Sequence, residues 1–303
     1  MRASAPRLPN FLVIGAAKSG TTALYHFLRQ HPQVYMSPEK EPRFFICEGR
    51  PPDYRGPYED GLINKMTIWK REDYEALFAG ARDQLARGEA TPSYLWFPGA
   101  PERIQALLPR ARLVAILRQP ADRAFSHYMM HRRDGREPLS FEDALRAEPE
   151  RLAAHWYWGR YRQAGYYHRH LSRYYDRFAR EQIRVYLYDD LVRDPAALLR
   201  DLFGFLGVDE GVTVNTGVRY NLSGIIASPL LRAIWAGTNR PRAFIRPLVP
   251  RRLRQRVAGF FTTRKMIRLA MREETRAELM ADYREDILKL QDLIGRDLSN
   301  WLR

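Results

Sequence analysis

Short apolar runs alternate with longer stretches of helical spacing along most of the chain. Phe11–Ile14 is uninterrupted and apolar, the pattern of a strand buried on both faces. Ala23–Leu28 is apolar at helical spacing. His31–Pro38 contains a second short strand bracketed by Pro32 and Pro38. Gly49–Gly61, rich in Pro, Gly, Tyr and Asp, is a surface loop, and Asp73–Ala79 a short helix. Gly88–Tyr94 is a strand end running into a loop. Pro101–Leu108 is a helix with proline at its start, where it is tolerated. Arg112–Leu117 is the clearest buried strand after the first, and a helix carrying Arg123, Ser126 and His127 follows. Phe141–Ala147 is a short helix capped by Ser140. Tyr157–Arg180 is one long helical stretch rich in Tyr and Arg. Ile183–Tyr188 alternates as a strand does, and Asp194-Pro195 opens a helix through Leu206 that stops at Gly207. Met271–Leu293 closes the chain as a helix with Leu279, Tyr283, Ile287 and Leu290 on one face.

Strands alternating with helices predict an α/β fold: a central parallel sheet flanked by helices in three layers. Ligands in such sheets sit at the C-terminal strand ends. That rule gathers Gly15–Thr22, Ser37–Phe45, Glu89–Tyr94 and Arg118–Ser126 on one edge.

The first of these segments is P-loop-like. Gly15 and Gly20 lie five apart between strand and helix, so the backbone can turn its N–H groups toward an anion. Thr21 stands where a triphosphate-binding loop places its lysine, which argues against a Mg²⁺-triphosphate site and a small kinase. Lys18 lies inside the loop instead, suited to a 5′-phosphate group next to a reacting centre. The alternative is an ordinary strand–turn–helix corner. Arg118, at the end of an apolar strand, can grip a second phosphate with its planar fork, and Ser126 can add a hydroxyl. A nucleotide with two separated anionic groups fits that pair; a structural salt bridge at Arg118 is the alternative.

The chain has 303 residues, 45% of them hydrophobic, enough for a sizeable core. Cys47 is the only cysteine, so no internal disulfide forms. No run approaches a membrane span and the N-terminal residues lack a signal-peptide core, so a cytoplasmic protein is the expectation. No His, Cys or carboxylate cluster has metal-ligand spacing, and no metal is expected. The net charge of +15 is unevenly placed: Gly211–Arg272 contains no Asp or Glu and carries most of the excess. An anionic partner, or simply a solvated basic face, accounts for it.

Four blocks, in order, resemble the sulfotransferases that use 3′-phosphoadenosine 5′-phosphosulfate (PAPS). They are FLVIGAAKSGTTAL from Phe11, PEKEPRFF from Pro38, EATPSYLW from Glu89 and LVAILRQPADRAFSHY from Leu113. Arg180–Val208 and Leu293–Leu302 resemble the family's later strand and helix and its terminus. The pattern is closer to the heparan-type and bacterial carbohydrate enzymes than to the phenol and steroid enzymes, chiefly because Glu41 precedes Phe44-Phe45.

The resemblance implies that Lys18, Ser19, Gly20, Thr21 and Thr22 hold the 5′-phosphosulfate and that Arg118 and Ser126 hold the 3′-phosphate. It implies a catalytic Lys18 and a general base, Glu41, whose partial burial is expected to raise its pKa. It also implies adenosine 3′,5′-bisphosphate as product and a hydroxyl acceptor on a carbohydrate or glycolipid. Arg219, Asn221, Ser223 and Gly224 are the candidate counterpart of the family's basic loop over the nucleotide. Ala90 departs from the family, whose heparan-type members carry lysine in that block.

One domain spans 1–303: a core of 9–224, a basic helical insertion of 225–264 and a closing segment of 265–303. Packing on the sheet, a lid over an anionic acceptor and peripheral contact with an anionic membrane stay open as roles for the insertion. The alternative to an enzyme is a non-catalytic basic module that binds nucleic acid or membrane. No nucleic-acid motif is present, and nucleic acid is not the expected partner.

Overall fold

The computed structural model describes residues 8–57, 59, 61–217, 225–226, 266–267 and 270–303. Its strands are β1 (Phe11–Gly15), β2 (Val34–Met36), β3 (Ala86–Ala90), β4 (Arg112–Leu117) and β5 (Ile183–Leu187). Its main helices are α1 (Thr21–Leu28), α2 (Phe44–Cys47), α3 (Ile63–Met66), α4 (Arg71–Ala76), α5 (Ala100–Leu107) and α6 (Pro120–Arg133). They continue as α7 (Phe141–Ala153), α8 (Tyr167–Tyr175), α9 (Tyr188–Arg193), α10 (Pro195–Leu206) and α11 (Glu273–Ile294).

The five strands form one parallel sheet in the order β2-β3-β1-β4-β5. Alternate side chains of each strand face opposite layers. Phe11, Val13, Val114 and Ile116 join a cluster with Leu24 and Leu28 of α1 and Leu202 of α10. Leu12, Ile14, Leu113 and Leu117 join the larger cluster, with Ile104 of α5 and the aromatics Phe44, Tyr74, Tyr94 and Tyr161. Both faces are therefore covered, and the apolar runs of β1 and β4 follow from that. Gly88 sits opposite Phe11 in the sheet, and a Cβ there would lie 2.4 Å from the Phe11 ring.

Several boundaries differ from the sequence expectation. α7 runs on to Ala153, through Pro149, although Ser140 caps it as expected, accepting the Asp143 N–H at 3.1 Å. The stretch 157–180 is not one helix. It breaks at Gly159, with φ +87, and makes a short 3-10 turn at Gln163–Gly165 before α8 begins. A Cβ at Gly165 would meet the Tyr283 ring at 2.7 Å, so α11 packs closely against this turn. Only Ile225–Ile226 of the basic insertion is described, as a strand antiparallel to Met266–Ile267. The helical expectation for the rest of the insertion lies outside the described residues.

α11 buries Leu279, Tyr283, Ile287 and Leu290, the face its spacing predicts. It braces the helices below the sheet edge. Arg276 pairs with Asp122 of α6, and Arg162 pairs with Glu278 and Asp282. Asp286 accepts the N–H groups of His168 and Arg169 at 2.9 and 3.1 Å, capping the start of α8.

Candidate active site

β1 ends at Gly15, and its continuation stays tied to the sheet through Ala16 N–H to Ile116 O at 2.7 Å. The loop then turns through Lys18 (φ 71) and Gly20 (φ 100), both left-handed. Gly20 is required there: a Cβ would stand 2.7 Å from Leu191. α1 starts at Thr21 with no side-chain cap and no acidic residue in its first turn. Its leading N–H groups and partial positive charge are thus left for an anion. Ser19 and Thr21 are buried, and Lys18 and Thr22 are half-buried.

Lys18 Nζ lies 3.5 Å from Met130 Sδ, and among the described residues no carboxylate forms an ion pair with it. Burial, then the Arg133 charge, lowers its pKa to about 8; Asp134 opposes, Arg118 lowers further and Glu41 raises. These influences place Arg118, Arg133 and Glu41 within electrostatic reach of Lys18. Arg118 follows β4 and stacks over Tyr188 at 5.0 Å, at the start of α9. Its peptide oxygen accepts the Tyr167 hydroxyl at 2.9 Å. Ser126 is buried on α6. The segments bearing Lys18, Arg118, Ser126 and Glu41 therefore meet at the C-terminal ends of β1, β4 and β3. Arg219, Asn221, Ser223 and Gly224 lie outside the described residues.

Glu41 precedes α2, and its N–H donates to Ala90 O at 3.1 Å, at the end of β3. Lys40 Nζ reaches Glu41 Oε1 at 2.6 Å, and an Arg43 guanidinium nitrogen reaches Oε2 at 2.9 Å. Burial pushes this carboxyl up, yet the charges and hydrogen bonds of Lys40 and Arg43 outweigh it, and the pKa is lowered. The expectation of a raised pKa is corrected accordingly. Arg43 also donates to the Tyr157 hydroxyl at 3.3 Å. Glu39, by contrast, is exposed.

Four neighbours were not legible as site residues. Lys40 lies next to Glu41 in sequence, Arg133 and Asp134 end α6, and Tyr157 comes from a distant loop. Only the charge density of Pro38–Phe45 signals the first of them. Ala90 is buried and brings no charge to the rim. A groove of about 570 Å³ lies elsewhere, beside β5 and α10. Its Arg184, Arg193 and Arg296 pair with Asp201 and Asp190, while Arg180 donates to Leu293 O and stacks over Tyr175.

A family model described as "Sulfotransferase family" matches residues 9–211. A crystal structure of a sulfotransferase from Alicyclobacillus acidocaldarius superimposes with a TM-score of 0.78 at 34% identity, covering 98% of this chain and 100% of that one. Human bifunctional heparan sulfate N-deacetylase/N-sulfotransferase 2 is 31% identical over 71% of this chain and 24% of its own length. Human bifunctional heparan sulfate N-deacetylase/N-sulfotransferase 3 is 29% identical over 98% of this chain and 31% of its own length. The chain thus spans about a quarter to a third of these curated relatives.

Proposed function

The chain belongs to the sulfotransferase family, and we propose that it moves the sulfonate of PAPS to a carbohydrate or glycolipid hydroxyl. Membership of an enzyme family displaces the reading as a non-catalytic basic module. The donor supplies an activated sulfonate whose leaving group is adenosine 3′,5′-bisphosphate. The residues present fit it: an uncapped helix start without acidic residues, and a lysine without an ion-pair partner among the described residues, suit the 5′ group. Arg118 and Ser126, further along the edge, are the proposed 3′-phosphate ligands.

In this proposal Glu41 takes the proton of the acceptor hydroxyl as that oxygen bonds to sulfur. The sulfur–oxygen bond to the departing phosphate breaks, and Lys18 with the N–H groups of Ser19–Thr22 meets the charge that develops there. Glu41 is ionised well below neutrality, so its charge state suits a base. Its two cationic partners must yield one oxygen to the incoming hydroxyl. The observation that carries the proposal is the meeting of Lys18, Arg118 and Glu41 at one sheet edge.

The test is a screen with ³⁵S-labelled PAPS over hydroxyl and N-unsubstituted saccharides, including de-N-sulfated heparan oligosaccharides. Label should pass to at least one acceptor. Glu41→Gln should lower transfer ~10²–10⁴-fold, while calorimetry shows bisphosphate affinity kept within about 2-fold. Near-normal transfer by Glu41→Gln would refute the base assignment.

A further inference from the structure

Glu89, next to last in β3, is wholly buried, and among the described residues no Lys or Arg forms an ion pair with it. Tyr74 of α4, Tyr94 and Thr91 after β3, and Tyr174 of α8 face it, with Glu41 and Lys40 within electrostatic reach. Burial pushes its pKa up to about 7, opposed by the Tyr94 and Thr91 hydroxyls nearby, and its Oε1 has no hydrogen-bond partner among the described residues. A carboxyl so placed contributes little to stability, since burying it without a counter-cation is costly. Its hydrogen bond with Thr91 points to another use.

Glu89 Oε2 accepts the Thr91 hydroxyl at 2.8 Å. The Thr91 oxygen, itself buried, accepts the Arg43 N–H at 3.4 Å. Next to it runs the Glu41 N–H to Ala90 O bond, and on the other flank Ile68 N–H holds Pro42 O at 2.9 Å. The held segment is unusual. Glu41 and Arg43 have φ values of 61 and 60, a left-handed backbone that such residues keep only when their surroundings over-determine it. A hydroxyl with free rotation receives an N–H less well; Glu89 removes that freedom.

We propose that Glu89 is a positioning residue for Glu41: it orients the Thr91 hydroxyl so that its oxygen receives the Arg43 N–H, and the Glu41–Arg43 turn is thereby clasped to the sheet edge. The catalytic meaning of this clasp rests on the reading of Glu41 as the base; the clasp itself does not.

The test measures amide hydrogen exchange across residues 39–46 in the whole protein. Glu89→Ala and Thr91→Val should each speed exchange there by at least about 10-fold, with the β1 peptide unchanged. Glu89→Gln and Thr91→Ser, which keep an acceptor and a hydroxyl, should stay within about 2-fold of the parent. If Glu89→Ala does not fold, Thr91→Val carries the same prediction. Unchanged exchange in the folded Ala and Val variants overturns the clasp, as does a rise spread equally over β1. Transfer assays with an acceptor from the screen give the second reading. Glu89→Ala should lower kcat about 10-fold or more alone, yet add no further loss to Glu41→Gln. Multiplying losses would show that Glu89 does not act through Glu41. Should Glu41→Gln alone leave transfer intact, the base assignment fails while the exchange data still judge the clasp.

Discussion

At Lys18 and Glu41 one crowded rim lowers two pKa values, with different consequences for the charge each carries. Glu41, lowered by Lys40 and Arg43, stays ionised down to below its ordinary value of 4.5. Lys18, lowered to about 8 by burial and nearby arginines, loses its proton as the pH rises through that value. On the proposed roles of Glu41 and Lys18, the competent state of the free enzyme lies between these limits. kcat/KM for PAPS should be flat from about pH 5 to 7 and fall towards tenfold per unit well above pH 8. Lys18→Arg should remove that alkaline fall while lowering transfer, because arginine keeps its charge but not the compact ammonium. A pH–rate profile of both proteins checks this. Lys18→Ala should lower kcat about 10²–10³-fold. The sequence pointed to Lys18 and Glu41 but not to the sign of the Glu41 shift. Lys40 is its chain neighbour, and neighbours in an extended segment point apart. The left-handed turn at 41 is a feature of the fold, and it accompanies the contact with Lys40.

Among the elements, the loop from β1 into α1 tolerates least. Gly20→Val should be destabilising by about 1–3 kcal/mol, because it combines a left-handed backbone with a clash against Leu191. Thermal melting measures it. Asp286→Ala should cost about 1 kcal/mol by uncapping α8, lowering Tm by about 2–4 °C. The strands and α1, α5, α10 and α11 were legible because each has a single apolar period or a proline or glycine at its end. The break inside 157–180 was not. There Gly165 packs against the Tyr283 ring, a contact between residues far apart in sequence. The extension of α7 was hidden for the opposite reason: Pro149 reads as a stop, and the helix continues past it.

For the whole molecule the dominant sequence fact is the +15 charge and its concentration between Gly211 and Arg272. The proposed nucleotide contacts at 18–22, 118 and 126 lie outside that segment, and the candidate loop residues Arg219, Asn221, Ser223 and Gly224 lie at its start, away from the arginines at 251–256. Two bindings should therefore separate. Replacing Arg251, Arg252, Arg254 and Arg256 with Ser should lower the salt needed to elute the protein from an anionic matrix. Calorimetric affinity for adenosine 3′,5′-bisphosphate should stay within about 2-fold of the parent.

The bracing by α11 has a consequence for biogenesis. α6 and α8 leave the ribosome long before Glu273–Ile294 is made, so the helix that carries Ser126 waits without its cover and α8 waits without its Asp286 cap. A nascent chain at that stage exposes apolar surface and is a natural client for chaperones. The sheet can assemble early, but the proposed nucleotide wall acquires its final bracing only when that late helix docks.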